Sequence, residues 1–245
     1  FRGAELAIIF QEPSQSFDPI YPIGKALVET LRAHNPELSD EQAHRRSIEL
    51  LEEVNVPQPE ARLGQFPHQF SGGLLQRIMI ALALASDPAV LIADEPTTAL
   101  DVTIQSQIID LLLRLKEERN LSVLFITHNL ALVSGIADRI MVMYSGLVME
   151  YGTADQVLGS PKHPYTRALL DSILTLGEHH TTTGLAVVPG TVPNPLKPEP
   201  GCPFAPRCYL ASSACRKAVP PLTSGEATGT DEGAEDGGAG GEAAT

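Results

Sequence analysis

A short apolar segment that ends in two adjacent carboxylates constrains the fold of this chain most strongly. Residues 89–93 are wholly apolar, and Asp94 and Glu95 follow them directly. A short run of this kind predicts a buried strand of a parallel sheet. Carboxylates at the carboxyl end of such a strand suit a metal ion and an attacking water. The segment therefore predicts an α/β protein with chemistry at one edge of its sheet.

A glycine pair upstream of this strand opens a predicted helix. Ser71 precedes Gly72 and Gly73, and an apolar helical pattern follows them. Glycine weakens a helix relative to alanine, so two glycines at a helix start indicate either a tight turn or the close approach of a ligand. The hydroxyl group and the free backbone amides at such a start suit a phosphate.

Strands and helices alternate along the chain, with a helical stretch inserted after the first strand. Ser39 and Gln42 form a predicted capping box at the start of one inserted helix, and Ser71 caps another. We expect a doubly wound α/β core with a helical subdomain at about 14–86. The predicted strands are 5–10, 89–93 and 122–126, of which the last two are predicted to be buried, and a predicted hairpin of 139–144 and 147–151 follows them.

Composition separates the end of the chain from the rest. Residues 224–245 carry six carboxylates and no basic residue, a composition that predicts disorder. The net charge of −13 excludes a general nucleic-acid binder, which needs clustered lysine and arginine. We predict three regions: an α/β domain over 1–160, a small irregular C-terminal region over 161–220, and an acidic tail over 221–245.

The two motifs together resemble a known family of ATPases. The run Asp94-Glu95-Pro96-Thr97-Thr98-Ala99-Leu100-Asp101 is similar to the Walker B and D-loop sequence of ABC-type ATPases, and Ser71-Gly72-Gly73 is similar to their signature motif. The resemblance implies a RecA-like P-loop ATPase core of the ABC type that uses ATP and Mg²⁺. It also implies a head-to-tail dimer with a second, identical or paralogous, ATPase subunit.

The resemblance assigns expected roles to individual residues. It implies that Glu95 is the catalytic carboxylate, that His128 is the switch histidine at the γ-phosphate, and that Gln11 is the Q-loop glutamine. It implies that Mg²⁺ is held by Asp94 and Gln11. The residues that it implies for nucleotide binding are Ser71, Gly72, Gly73, Gln76 and Asp101.

The phosphate-binding sequence G-x-x-x-x-G-K-[ST] does not occur in the 245 residues. The chain begins at Phe1 and continues into a strand pattern, which predicts an N-terminally truncated ABC domain that is inactive alone. Two alternatives stay open at this point. One is a catalytically silent docking or regulatory module, and the other is a DNA-repair type of ABC ATPase, although neither long heptads nor a basic surface is present.

Two flanking segments narrow the resemblance to the peptide/nickel group of importers, which includes the oligopeptide and dipeptide permeases. These are Phe66-Pro67-His68-Gln69 and the 160–170 segment that begins Ser-Pro-Lys-His-Pro-Tyr. The resemblance implies transmembrane permease subunits as partners and an extracytoplasmic solute-binding protein as an indirect partner. It implies a peripheral position on the cytoplasmic face of the membrane.

Three cysteines lie in the C-terminal region. Gly201-Cys202-Pro203-Phe204-Ala205-Pro206-Arg207-Cys208, followed by Cys215, matches a pattern of the same family. The resemblance implies a [4Fe–4S] cluster, but it requires a fourth cysteine that the sequence lacks. A cluster on Cys202, Cys208 and Cys215, a zinc site and free thiols therefore all remain open.

Overall fold

The computed structural model describes residues 5–98, 100–172, 190–194, 196 and 200–223. The chain divides into two compact units, Phe1–Ile136 and Ala137–Thr245. The first unit contains the strands β1 (Leu6–Ile9), β2 (Val90–Asp94) and β3 (Ser122–Ile126). Its helices are α1 (Pro13–Ser16), α2 (Ile23–His34), α3 (Asp40–Glu53), α4 (Pro59–Leu63), α5 (Gly72–Leu84), α6 (Val102–Glu118) and α7 (Leu130–Val133).

The three strands of the first unit form a parallel sheet in the order β1-β2-β3. Ile9 pairs with Ala93, and Asp94 pairs with Ile126, so the carboxyl ends of the strands lie at one edge of the sheet. The strands are joined by helices, as parallel strands require. The sheet therefore confirms the predicted α/β class and brings the residues that follow each strand together.

The helical insertion folds as the capping signals predicted. The Ser39 hydroxyl accepts a hydrogen bond from the Gln42 backbone, and the Gln42 side chain accepts one from the Ser39 backbone, which completes a capping box. The side chain of Ser71 caps α5 by accepting from the backbone amide of Leu74. The apolar faces of α2, α3 and α5 are buried in one core, which includes Leu27, Leu50, Leu51 and Ile78.

One prediction about the sheet was wrong. We expected residues 122–126 to be buried, but Leu124 and Ile126 of β3 are 55% and 43% exposed. Among the described residues β3 pairs only with β2, so it is an edge strand of this sheet. Val123 and Phe125 pack on the core from the opposite face of the strand. The apolar sequence of β3 therefore indicated a strand correctly but not its burial.

The second unit contains an antiparallel hairpin and short helices. Strands β4 (Arg139–Tyr144) and β5 (Leu147–Thr153) pair with a register irregularity between Val142 and Met143. The helices are α8 (Ala154–Gly159), α9 (Pro164–Asp171) and α10 (Ser213–Lys217). Tyr144 and Met149 of the hairpin are buried with Phe204 in a small core, and Tyr165, Cys202 and Cys208 pack against it.

The predicted domain boundaries remain predictions. The boundary between the two compact units falls between Ile136 and Ala137 rather than at residue 160, because the hairpin packs on Phe204 of the C-terminal region. The acidic residues 224–245 lie outside the described residues. In the part of the chain that the structure describes, no helix combines the length and the apolar character that crossing a membrane requires.

Candidate active site

Three polar side chains follow the three parallel strands. Gln11 lies just after β1, Glu95 directly after β2, and His128 just after β3. Adjacent strands of a parallel sheet end at the same edge, and this edge is where open α/β sheets bind ligands. The structure therefore brings together the three residues that the sequence proposed for catalysis.

The carboxylate of Glu95 is the centre of this cluster. The Nε2 atom of Gln11 donates a hydrogen bond to Oε2 at 3.0 Å. The Nδ1 atom of His128 lies 3.0 Å from Oε1. The hydroxyl of Thr98 donates to Oε2 at 2.7 Å. Both oxygens of one carboxylate are thus held by side chains from three separate segments.

The backbone at Glu95 turns sharply out of the sheet. Its amide still donates to the carbonyl of Ile126 at 2.9 Å, which continues the pairing of β2 with β3 by one residue. Its φ angle is +44°, in the left-handed region that side chains other than glycine rarely adopt. Strained residues of this kind concentrate at functional sites, where the surrounding contacts hold them.

These contacts lower the pKa of the Glu95 carboxyl group below its usual value. The largest cause is the hydrogen bond with His128, followed by the hydrogen bond from Thr98, and both favour the ionised form. Partial desolvation opposes this shift. Glu95 is therefore a carboxylate at neutral pH, in the form that accepts hydrogen bonds and protons.

Asp94 and Gln11 provide the oxygen atoms that a magnesium ion would need at this edge. Mg²⁺ in phosphoryl-transfer sites is usually held by one or two protein oxygens together with substrate phosphates and waters. Over the described residues no group of three or more His, Cys, Asp or Glu side chains is placed to hold a metal by itself. The donor set at Asp94 and Gln11 thus fits a shared site for Mg²⁺ and a nucleotide.

A second cluster lies where α5 and α6 begin. Ser71 caps α5, and Asp101 caps α6 by accepting from the backbone amide of Ile104 at 3.0 Å. Between these helix starts lies an open groove of about 520 Å³. Its lining includes Asn55, Ser71, Gly72, Gly73, Leu74, Arg77, Leu100, Asp101, Ile104 and Gln107. Four of the five residues proposed for nucleotide binding therefore share one groove.

The fifth of these residues is placed elsewhere. Gln76 is only 1% exposed, on the buried face of α5, and its Nε2 atom has no hydrogen-bond partner among the described residues. The structure does not bring Gln76 to the groove. Sequence spacing alone did not reveal this, because Gln76 stands in a helix whose apolar positions occur on every side.

Two further residues at these clusters, Arg77 and Thr98, were not predicted as site residues. Arg77 lines the groove, and its guanidinium donates to the carbonyl of Val54 at 2.9 Å and to the side chain of Gln107 at 3.1 Å. The position of Arg77 four residues after Gly73, on the same side of a helix, is the signal that would have found it. Thr98 could have been predicted in the same way, because a hydroxyl three residues after Glu95 in a turn can reach its carboxylate.

The three cysteines do not form a metal site in the described part of the chain. All three are free thiols, and no group that includes them is placed to hold a metal. Cys202 and Cys208 pack against the aromatic core, whereas the Sγ atom of Cys215 lies 3.4 Å from the Ser212 hydroxyl. That hydrogen bond lowers the pKa of the Cys215 thiol. The structure gives no support to the [4Fe–4S] cluster that the resemblance implied.

Comparison with known proteins identifies the family. Residues 1–98 match the family model described as ABC transporter, and residues 149–215 match the model of the oligopeptide/dipeptide transporter C-terminal region. A Brucella abortus protein named as a peptide import ATP-binding protein is 47% identical over 229 residues, which cover 93% of this chain and 68% of that protein. This chain belongs to the ABC transporter family of ATPases. A similarly named Brucella melitensis protein is 47% identical over 227 residues, covering 91% of this chain and 67% of that protein.

Solved structures show the same ABC fold. The ATP-binding cassette MJ0796 in a dimeric post-hydrolysis state with ADP and phosphate has a TM-score of 0.55 and 28% identity, covering 62% of this chain and 64% of that chain. The protein cbiO1 from Clostridium perfringens, part of the ABC transporter complex cbiONQ, has a TM-score of 0.56 and 27% identity. The match covers 65% of this chain and 61% of that chain. The chain thus spans less than two thirds of these two structures. The predicted family and fold class are confirmed, and the individual residue roles remain predictions.

Proposed function

We propose that this chain is the ATP-hydrolysing subunit of an ABC importer that takes up peptides. The observation that carries the proposal is the convergence of Gln11, Thr98 and His128 on the carboxylate of Glu95 at the carboxyl edge of the sheet. The C-terminal region that matches oligopeptide/dipeptide transporters and the names of the Brucella relatives support peptides as the transported solute.

In the proposed reaction Glu95 orients a water for in-line attack on the γ-phosphorus and accepts its proton, while the bond from this phosphorus to the β–γ bridging oxygen breaks and ADP leaves. Its low pKa keeps it in the accepting form. We expect His128, whose Nδ1 atom lies 3.0 Å from Oε1 of Glu95, to contact the γ-phosphate and to hold that water. Asp94 and Gln11 would hold Mg²⁺, which when bound neutralises charge that develops on the phosphates. These residues contribute positioning and electrostatics, the two main sources of phosphoryl-transfer catalysis.

The groove at the start of α5 and α6 is proposed as the second half of the nucleotide site. The N-terminal end of a helix such as α5 attracts phosphate through its free amides and its dipole. We expect the groove beside Ser71, Gly72 and Gly73 to cover the γ-phosphate of an ATP bound by a second ATPase subunit, with Asp101 at the same interface. Two identical or paralogous subunits would then enclose ATP head to tail.

The remaining partners follow from the same proposal. Gln11 and the helical insertion would transmit ATP-driven closure to transmembrane permease subunits, which receive the solute from an extracytoplasmic binding protein. The chain would accordingly lie peripherally on the cytoplasmic face of the membrane. Since the 245 residues contain no G-x-x-x-x-G-K-[ST] sequence, we expect them alone to bind ATP weakly.

Peptide uptake by intact cells tests this function. Cells in which the gene is deleted are given a set of radiolabelled short peptides and are complemented with the wild-type gene or with Glu95→Gln. We expect deletion to abolish uptake of at least one peptide, wild type to restore it and Glu95→Gln to fail. Undiminished uptake of every peptide tested, or restoration by Glu95→Gln, would contradict the proposal.

A further inference from the structure

Thr98 holds Glu95 from within the same turn. Its hydroxyl donates to Oε2 of Glu95 at 2.7 Å, and its backbone amide donates to the carbonyl of Glu95 at 3.3 Å. The side chain of Thr98 is otherwise exposed. One residue therefore fixes both the backbone and the carboxylate of Glu95 without belonging to the core.

The other two partners of the carboxylate come from other strands and have other tasks in the proposed reaction. Gln11 follows β1 and is needed at Mg²⁺, whereas His128 follows β3 and is needed at the γ-phosphate. The bound nucleotide, and not Glu95 alone, therefore determines where these two side chains lie during the reaction. Thr98 has no such task, and it moves with Glu95 because it lies only three residues further along the same turn.

We propose that Thr98 is a positioning residue for Glu95: its hydroxyl holds the carboxylate in the orientation that receives the attacking water while Gln11 and His128 engage the nucleotide. This inference rests on the proposed function, because it assigns a role within ATP hydrolysis. Thr98 itself contacts neither water nor phosphate in the reaction.

The neighbouring threonine shows that this role is separable from folding. Thr97 is only 6% exposed, and its hydroxyl accepts a hydrogen bond from Gln105 of α6 at 3.1 Å. Thr97 thus fixes the turn to α6, and the Thr98 hydroxyl takes no part in that contact. Removing the Thr98 hydroxyl should therefore leave the fold intact, since exposed substitutions usually change stability little.

The test compares Thr98→Val, which removes the hydroxyl with little change of shape, with Thr98→Ser, which keeps it. Both are made in the protein as its gene encodes it, and ATP turnover is measured over a range of ATP concentrations. A hydrogen bond to a charged group is worth enough to change kcat about tenfold. We expect Thr98→Val to lower kcat by about that factor with KM for ATP unchanged, and Thr98→Ser to retain turnover.

A double-mutant cycle separates positioning from a structural effect. If Thr98 acts through Glu95, adding Thr98→Val to Glu95→Gln should cause no further loss of turnover beyond that of Glu95→Gln alone. A wild-type kcat in Thr98→Val, a Thr98→Ser variant as slow as Thr98→Val, or a full further loss in the double variant would overturn the inference.

The same measurements distinguish failure of the inference from failure of the proposed function. If the wild-type protein hydrolyses ATP and Glu95→Gln does not, the proposed function stands whatever Thr98→Val does. If Glu95→Gln hydrolyses ATP as fast as wild type, the proposed function fails and the inference fails with it. Thermal unfolding of each variant, expected within a few degrees of wild type, confirms that all of them are folded.

Discussion

Gly73 and Ile104 meet so closely that a β-carbon on Gly73 would lie 2.7 Å from Cγ2 of Ile104. Gly73 belongs to the first turn of α5, and Ile104 to the first turn of α6. Packing within the subunit therefore requires glycine at position 73, because a residue without a β-carbon lets the two helix starts that flank the groove approach each other.

This contact predicts that Gly73→Ala destabilises the fold. The methyl group meets a β-branched side chain that has little freedom at χ1, so overpacking should cost about 1–3 kcal/mol. Gly72→Ala is the matched control, because its β-carbon would lie 3.6 Å from Leu100 Cδ2, an ordinary contact. Urea unfolding of both variants measures the difference.

A compensating substitution checks the cause of that loss. Ile104→Ala removes the clashing methyl group, so Gly73→Ala should cost less in the Ile104→Ala background than in wild type. Strict additivity of the two substitutions, or equal stabilities of Gly73→Ala and Gly72→Ala, would show that the close contact between residues 73 and 104 does not cause the loss of stability.

Arg77 is expected to stabilise the first unit through the end of α3. Its guanidinium donates to the carbonyl of Val54, the residue that directly follows α3, and to Gln107 of α6. Arg77→Met keeps an apolar stem but removes both hydrogen bonds, which should lower the free energy of unfolding by about 1–3 kcal/mol.

The control for this prediction is Arg32→Met. Arg32 pairs with Asp40 on the surface, where the two side chains are 49% and 84% exposed, and exposed ion pairs contribute about 0–1 kcal/mol. Chemical unfolding should therefore rank Arg77→Met well below Arg32→Met in stability. An Arg77→Met variant as stable as Arg32→Met would contradict a role for Arg77 in joining the helices.

We expect the stability of the second unit to depend on pH through the titration of His163. Burial lowers the pKa of His163 below 6.5, while Glu150 opposes the shift more weakly. The Nδ1 atom also accepts a hydrogen bond from the backbone amide of Tyr165 at 3.1 Å, as the cap of α9, and this requires a ring that is unprotonated at Nδ1.

The sign of the effect follows from proton binding. Below about pH 6.5 the unfolded chain takes up a proton before the folded chain does, so the free energy of unfolding falls as the pH is lowered through this range and levels off below the folded pKa. Urea unfolding between pH 7.5 and pH 5 should show the decline. His163→Asn keeps a capping oxygen without titrating, and it should flatten this part of the profile. Identical profiles would contradict the prediction.

The sequence was sufficient to predict the segments that position the site. The strand ends at Gln11, Glu95 and His128, the cap at Ser71 and the capping box at Ser39 all follow from local patterns, because strand ends and helix caps depend on nearby residues. The family motifs added expected roles for these residues, and the structure added the contacts between them.

Other features depend on packing that local patterns do not contain. The exposure of β3, the burial of Gln76 and the clash that requires glycine at position 73 all depend on neighbours that are distant in sequence. The cysteine spacing was equally uninformative, because spacing does not fix the direction of a thiol. Arg77 was missed for a similar reason, since its partner Val54 lies 23 residues away.

The central claim, that Glu95 is the carboxylate through which ATP is hydrolysed, is tested most directly by turnover of Glu95→Gln. The matched control is Glu118→Gln, which removes an exposed carboxylate paired with Arg114 on α6, far along the chain from the site. Phosphate release from Mg²⁺–ATP is measured for wild type and both variants in the protein as its gene encodes it. We predict that Glu95→Gln loses at least about 100-fold in kcat while Glu118→Gln keeps wild-type turnover. Turnover of Glu95→Gln at the wild-type rate would contradict the account.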